Sequence, residues 1–373
     1  MSVVSMLIKP ASSSCNMRCK YCFYADVAKS REIANYGIMS YDTIETIVKK
    51  AFENADQAVV FGFQGGEPTI AGLDFFKKTI ELQKKYNTKK IQVSNSLQTN
   101  GLLITDEFAE FFAKNNFLIG VSLDGTQAIH DKYRTDSEGQ GTYERVINAT
   151  KILSKHRVEY NILTTVNIDV AKNAGKVYYA LKKQGFKYLQ FIPCLDEFNG
   201  IKREYSLTAE AYGEFLIELF KLWYVDLNSK TPISIRYFDN LLMMMGGYPP
   251  EECSMNGFCQ CYYMIEADGS VYPCDFYVTD EWRLGNVKTD DFASLLTNDT
   301  AKKFIKVSCQ VSEECKECEY KHICRGGCRR HREPISEGEP RLNELCKAYK
   351  MFFDYAMEDL RTLSKKLIGR AIY

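Results

Sequence analysis

The sequence predicts an α/β fold: a partial, partly open (β/α)6 barrel, then a cysteine-rich second region closed by a C-terminal helix. Three observations predict it. Short apolar runs alternate with amphipathic segments through the first half of the 373 residues. Ten of the fourteen cysteines fall within 251–346, where helical periodicity fades and glycines multiply. Residues 346–368 then return to an amphipathic pattern of helical period. The expected division is 1–235 and 236–373.

The strand candidates are 3–9, 58–64, 91–98, 117–125, 159–167 and 188–194. Helical stretches with apolar residues at i, i+3, i+4 lie between them, at 40–55, 72–86, 105–116, 142–156 and 174–185, and a long helix is expected over 205–227. Ser40 in "SYDT" supplies an N-cap. Parallel strands need crossovers of this length. Six β/α units fall two short of a closed eight-unit barrel, so the expected barrel is open. In such barrels chemistry sits at the C-terminal strand ends, and here those ends read "CNMRCKYC", "QGGEP", "NSLQTNG", "SLDG" and "CLD".

Composition excludes several classes. Lys+Arg and Asp+Glu balance at 48 each, so no global basic field points to nucleic acid. The N-terminal residues lack the pattern of a signal peptide, and no run approaches the ~18 apolar residues of a membrane span. A cytoplasmic protein is expected, and there thiols stay reduced and disulfides are rare. Fourteen cysteines in that setting point to metal binding. Four scattered histidines argue against His-rich zinc chemistry.

Cys15, Cys19 and Cys22 follow the first strand as C-x3-C-x2-C. An iron–sulfur cubane normally takes one thiolate per iron, so three cysteines leave one iron open to a small molecule, much as catalytic zinc keeps an open position. A zinc site is the alternative from spacing alone. This loop, with Tyr21 before its third cysteine, resembles that of the radical S-adenosyl-L-methionine (SAM) enzymes. The resemblance implies a 4Fe-4S cluster whose open iron holds SAM. Reductive cleavage of SAM would then give a 5′-deoxyadenosyl radical. Gly65, Gly66 and Glu67 of "GGEP" match the family's site for the methionine amino group. Ser122 and Arg134 match its ribose and carboxylate contacts, and Leu195 and the Tyr21 backbone its adenine contacts.

The later cysteines resemble the SPASM extension, which carries two auxiliary 4Fe-4S clusters. Its interleaved pattern implies Cys253, Cys259, Cys274 and Cys328 for one cluster and Cys315, Cys318, Cys324 and Cys346 for the other. Zinc ribbons are the competing reading of this set. Cys194, Cys261 and Cys309 stay unassigned, and a free cysteine often serves as a small hydrophobe.

Almost end to end, the chain resembles the anaerobic sulfatase-maturating enzymes, through "LIKPASSSCNMRCKYCFY", "FGFQGGEPTIAGLDFF", "DGSVYPCDFYVTDEWRLGN" and "CRGGCRR". The resemblance implies oxidation of a Cys or Ser in a nascent sulfatase, within C/S-x-P-x-R, to Cα-formylglycine after hydrogen abstraction from Cβ. It aligns Asp275 with the proton acceptor. Reference pKa values near 3.9 and 8.5 make direct transfer from a cysteine thiol to an aspartate uphill by roughly 6 kcal/mol. Burial must therefore raise Asp275, or it acts after hydrogen abstraction. Tyr24 and Gln64 are expected to line the target residue. A flavodoxin or ferredoxin donor and a monomeric enzyme complete the expectation. A maturase of ribosomal peptides is the rival enzyme, disfavoured because only fourteen residues precede Cys15. A non-catalytic iron–sulfur protein is the rival class.

Overall fold

A computed structural model describes residues 1–227, 229, 231–334 and 341–369. Among these described residues ten strands form: β1 Val3–Ile8, β2 Ala58–Phe63, β3 Gln92–Thr99, β4 Phe117–Ser122, β5 Glu159–Val166, β6 Tyr188–Pro193, β7 Ser234–Ile235, β8 Tyr263–Ile265, β9 Ser270–Tyr272 and β10 Gly285–Asn286. All six expected strands are present as β1–β6. The chain packs as two compact units that interleave along the sequence: Met1–Ser122 with Arg134–Tyr160 and Cys261–Phe304, and Leu123–Tyr133 with Asn161–Gln260 and Ile305–Tyr373. These packing units are drawn differently from the division at 235/236.

In the first unit β1, β2, β3 and β4 run parallel and side by side. The helices Tyr41–Asn54, Leu73–Tyr86 and Asp106–Lys114 connect them. The first is capped as expected, the Ser40 side chain accepting from the Thr43 N–H. Parallel strands covered by such crossovers bury alternate or continuous apolar residues, and here Phe63, Phe76, Phe112 and Phe117 interlock at ring separations of 5.1–6.3 Å. On its other edge β1 pairs in parallel with β8, which continues antiparallel into β9 and then β10. That pairing brings residues near 265 beside the C-terminal end of β1, because Ile8 lies opposite Ile265.

In the second unit β5, β6 and β7 are parallel neighbours. The long helices Ala209–Asp226 and Cys346–Ile368 pack together around an aromatic core in which Trp223 meets Phe238 at 5.0 Å and Phe238 stacks on Phe352. Burying each such side chain is worth roughly 1.5–3 kcal/mol. The sequence reading did not anticipate the helices Arg236–Met245 and Asp299–Ser308. Among the described residues no helix is long and apolar enough to cross a membrane.

Candidate active site

The expected site residues of the first unit gather at the C-terminal ends of β1–β4. Cys15, Cys19 and Cys22 lie on the loop between β1 and the helix Phe23–Lys29. Burial pushes the Cys15 thiol up to about 11, and its Sγ accepts from the Met17 N–H at 3.4 Å and Asn100 Nδ2 at 3.8 Å. Arg134 Nη1 lies 3.8 Å from Cys19 Sγ, and its guanidinium sits 5.4 Å from the centre of the Tyr21 ring. Arg134 thus stands against the cysteine loop.

The "GGEP" turn closes on the same loop. Gly65 and Gly66 have φ of +85° and +47°, a region side chains disfavour. A Cβ on Gly66 would stand 2.3 Å from the Ser14 carbonyl oxygen, so the turn can press against the cysteine loop only with glycine there. The Glu67 N–H donates to that same Ser14 oxygen at 2.8 Å. Glu67 is buried. Its Oε1 accepts from Thr69 N–H (3.1 Å), Thr69 Oγ1 (2.6 Å) and Thr99 Oγ1 (2.8 Å), and its Oε2 from Asn100 N–H (2.7 Å). Burial raises its pKa against these four donors. A carboxylate has about four acceptor positions, and the crowding on Oε1 leaves the free capacity on Oε2. Ser122 is buried at the end of β4.

Asp275 follows Cys274 and begins a short 3-10 turn, Asp275–Tyr277. It is buried, and burial raises its carboxyl above the usual range. Its Oδ1 accepts from the Tyr262 hydroxyl at 2.9 Å and lies 3.6 Å from Cys274 Sγ. Its Oδ2 accepts from the Tyr24 hydroxyl and from Gln64 Nε2, each at 3.3 Å. Gln64 Nε2 also donates to the Tyr24 hydroxyl. Burial holds both tyrosines well above their usual pKa, so they stay protonated donors. Tyr24 and Gln64 are therefore brought to Asp275. Sequence reading missed Tyr262 and a buried charge group beneath: Lys9, 5.2 Å from the Tyr24 ring centre, joins Glu266 at 2.5 Å, and Arg31 joins the same oxygen at 2.7 Å.

In the second unit, Cys315, Cys318, Cys324 and Cys346 line one cavity together with Tyr349 and Phe353. Burial drives Cys324 up to about 12, with the Cys315, Cys346 and Cys318 thiols adding to it. Cys328 is likewise raised to about 12 by burial, and by Cys259 and Cys253. Arg325, Gly326 and Gly327 all have positive φ, which turns the chain sharply between Cys324 and Cys328. Cys274 is in the first unit and follows β9. Leu195, buried after β6, lies in the second unit. Cys194 is buried, Cys261 Sγ lies 3.7 Å from the Ala301 carbonyl, and Cys309 is exposed.

These donor sets fit iron–sulfur clusters. All fourteen cysteines are free thiols, and buried thiols that raise one another's pKa need a strong positive charge to become thiolates. Among the described residues no three or more Cys, His, Asp or Glu side chains converge tightly enough for a single metal ion. A cubane spreads its thiolates over separate irons and does not require that convergence.

Residues 10–173 match the Radical SAM superfamily, and residues 253–319 match the iron-sulfur cluster-binding SPASM domain. The cysteine-type anaerobic sulfatase-maturating enzyme of Clostridium novyi is 47% identical over 99% of this chain and 100% of its own. The serine-type enzyme of Bacteroides thetaiotaomicron is 32% identical over 98% of this chain and 92% of its own. A solved structure of native anSMEcpe with bound AdoMet and Cp18Cys peptide superposes with a TM-score of 0.93 at 44% identity, covering 98% of this chain and 99% of that one. The fold class is accordingly a partial (β/α)6 radical SAM barrel followed by a SPASM domain and a C-terminal helix. By identity across nearly its full length, the chain belongs to the anaerobic sulfatase-maturating enzymes of the radical SAM superfamily.

Proposed function

We propose that this enzyme oxidises a cysteine in a C-x-P-x-R segment of a nascent sulfatase to Cα-formylglycine, with three 4Fe-4S clusters and SAM as cofactors. The observation that carries the reading is Asp275, a buried carboxylate held by three side-chain donors at the barrel mouth beside a cysteine of the SPASM region. Greater identity to the cysteine-type than to the serine-type enzyme supports cysteine as the target.

Bound at Cys15, Cys19 and Cys22, the first cluster with SAM supplies the power to abstract hydrogen from Cβ of the target residue. Gly65 and Gly66 would admit the close approach of the methionine end, and Oε2 of Glu67, which carries the fewer donors, would accept from its ammonium. By the family's motif, Arg134, Ser122, Leu195 and the Tyr21 backbone would be the further SAM contacts. Cys253, Cys259, Cys274 and Cys328 hold one auxiliary cluster; Cys315, Cys318, Cys324 and Cys346 hold the other. Clusters held there would supply an acceptor for the electron the product must lose.

Asp275 accepts the proton of the target thiol. Burial raises its carboxyl, which narrows the gap to a thiol in the direction the reaction needs. Loss of hydrogen from Cβ narrows it further by acidifying the adjacent S–H. Tyr24 and Gln64 border the target side chain. A flavodoxin- or ferredoxin-type donor, a monomeric enzyme and a cytoplasmic setting belong to the same reading, the last in keeping with fourteen free cysteines.

The test is anaerobic loading with iron, sulfide, SAM and a peptide carrying C-x-P-x-R, with mass spectrometry for a hydrazine-reactive aldehyde. Asp275→Asn should abolish most of the aldehyde while 5′-deoxyadenosine still forms. Wild-type turnover in that variant would remove Asp275 from the mechanism.

A further inference from the structure

Tyr262 makes the most complete contact with Asp275. Its hydroxyl donates to Oδ1 at 2.9 Å and accepts the Asp275 N–H at 3.1 Å. One oxygen thereby grips the side chain and the backbone of the same residue. The Tyr262 N–H donates to the Pro273 carbonyl at 3.2 Å, so residue 262 is tied to the 273–275 segment at its backbone as well as at its ring.

The other carboxylate oxygen is held more loosely. Tyr24 and Gln64 reach Oδ2 only at 3.3 Å, beyond the usual range for such bonds, and Gln64 also donates to Tyr24. The Cys274 contact to Oδ1 needs a thiol proton, and a thiolate bound to iron has none. Among the described residues Tyr262 is then the one side-chain donor left on Oδ1.

We propose that Tyr262 is a positioning residue that anchors Asp275 through Oδ1 and the backbone N–H and thereby turns Oδ2 toward the target side chain. The proposal rests on the reading of Asp275 as the proton acceptor. An aspartate with both χ angles free samples geometries in which neither oxygen faces the substrate. Fixing one oxygen and the N–H against a rigid phenol leaves a single orientation.

The experiment compares Tyr262→Phe, Asp275→Asn and the double variant, each anaerobically loaded and given the C-x-P-x-R peptide. Tyr262→Phe should lower kcat for aldehyde by roughly 100-fold, the scale of a 1 Å misplacement of a catalytic group. Iron content, peptide Kd by fluorescence anisotropy and KM should stay at wild-type values, and 5′-deoxyadenosine formed per aldehyde should rise. The double variant should be no slower than Asp275→Asn alone, because a residue acting only through Asp275 has nothing left to position. A general packing defect would instead slow the double variant further, which overturns the proposal even if Tyr262→Phe is inactive. Wild-type kcat in Tyr262→Phe, with Asp275→Asn impaired, overturns it and leaves the role of Asp275 standing. Wild-type kcat in Asp275→Asn overturns both.

Discussion

The Lys9 ammonium meets the Glu266 carboxylate at 2.5 Å, joining the ends of β1 and β8 with both side chains out of solvent. Arg31 shares the same oxygen at 2.7 Å. Burial lowers the Lys9 pKa, and the neighbouring Arg31 charge lowers it further against the pull of Glu266. For Glu266 burial acts upward, but Lys9 and Arg31 outweigh it and hold the carboxyl below its usual range. Two cations against one acid leave a net positive charge beneath Tyr24, whose partner Asp275 supplies a further negative charge.

Removing one member of a buried ion pair strands the other, at a typical cost of about 3–5 kcal/mol. Lys9→Met should fall near the lower end, about 3 kcal/mol, because Arg31 still faces Glu266. Thermal unfolding of the loaded enzyme under anaerobic conditions should shift down by roughly 4 °C. An unchanged Tm would mean that the pair breaks even against an apolar side chain.

This group shows what the sequence hides. Ser40 as a cap, the six strands, the "GGEP" turn and the cysteine loops are legible because each is written in a few consecutive residues. Lys9 reads instead as the polar end of an apolar strand, and Tyr262 as one aromatic in "CYYMIEADG". The role of Lys9 is created by the pairing of β1 with β8, across 257 positions to Glu266. That of Tyr262 is created by the antiparallel return of β9 beside β8, which brings Asp275 back to its hydroxyl. Neither register is written in a short run of residues. The helix Arg236–Met245 was missed for a related reason. "RYFDNLLMMM" is short, and its apolar face becomes evident only against Trp223 and Phe352.

Acid should weaken the fold through Glu266. Its folded pKa lies below the ordinary value of about 4.3, so its contribution is complete above that value and is lost as pH falls through the folded pKa. Glu67 and Asp275, raised by burial, titrate with the opposite sign. Comparing wild type with Glu266→Gln isolates the single group. The Tm difference between them should be constant near neutrality and shrink as pH drops below about 4. A gap of constant size down to pH 3 would assign the stabilisation to packing rather than charge.

Among the thiols lining the second unit's cavity, Cys324 is pushed up to about 12 by burial and by its Cys315, Cys346 and Cys318 neighbours. Cys324→Ala should lower bound iron by about one cluster of the SPASM type while SAM cleavage persists. Aldehyde yield should fall, since that cluster lies on the proposed electron route. Iron assay beside both product assays checks it, and full aldehyde yield at reduced iron would take the cluster off the route.

Gly66→Ala tests the fit of the SAM turn against the cysteine loop. The new Cβ would stand 2.3 Å from the Ser14 oxygen at a backbone φ of +47°, so backbone must move, at a cost of roughly 1–3 kcal/mol. Ser14 immediately precedes Cys15, and the displacement should reach the first cluster. The expected result is loss of 5′-deoxyadenosine formation with the SPASM clusters still loaded, read by iron content and the SAM-dependent change in the electron paramagnetic resonance signal.

Glu67→Gln separates a cofactor role from a merely structural one. Among the described residues three donors converge on Oε1 and the Asn100 N–H alone on Oε2. A glutamine has one acceptor oxygen, and the three donors will claim it. Its amide N–H2 then faces the Asn100 N–H, donor against donor, and an approaching ammonium meets a donor too. A lost buried acceptor of this kind costs about 1–3 kcal/mol, so SAM should bind roughly 10- to 100-fold more weakly at unchanged iron content. Equilibrium dialysis with SAM on the loaded enzyme gives the answer directly. An unchanged Kd would reduce Glu67 to the cap of the turn Pro68–Ala71, whose Thr69 N–H also donates to it.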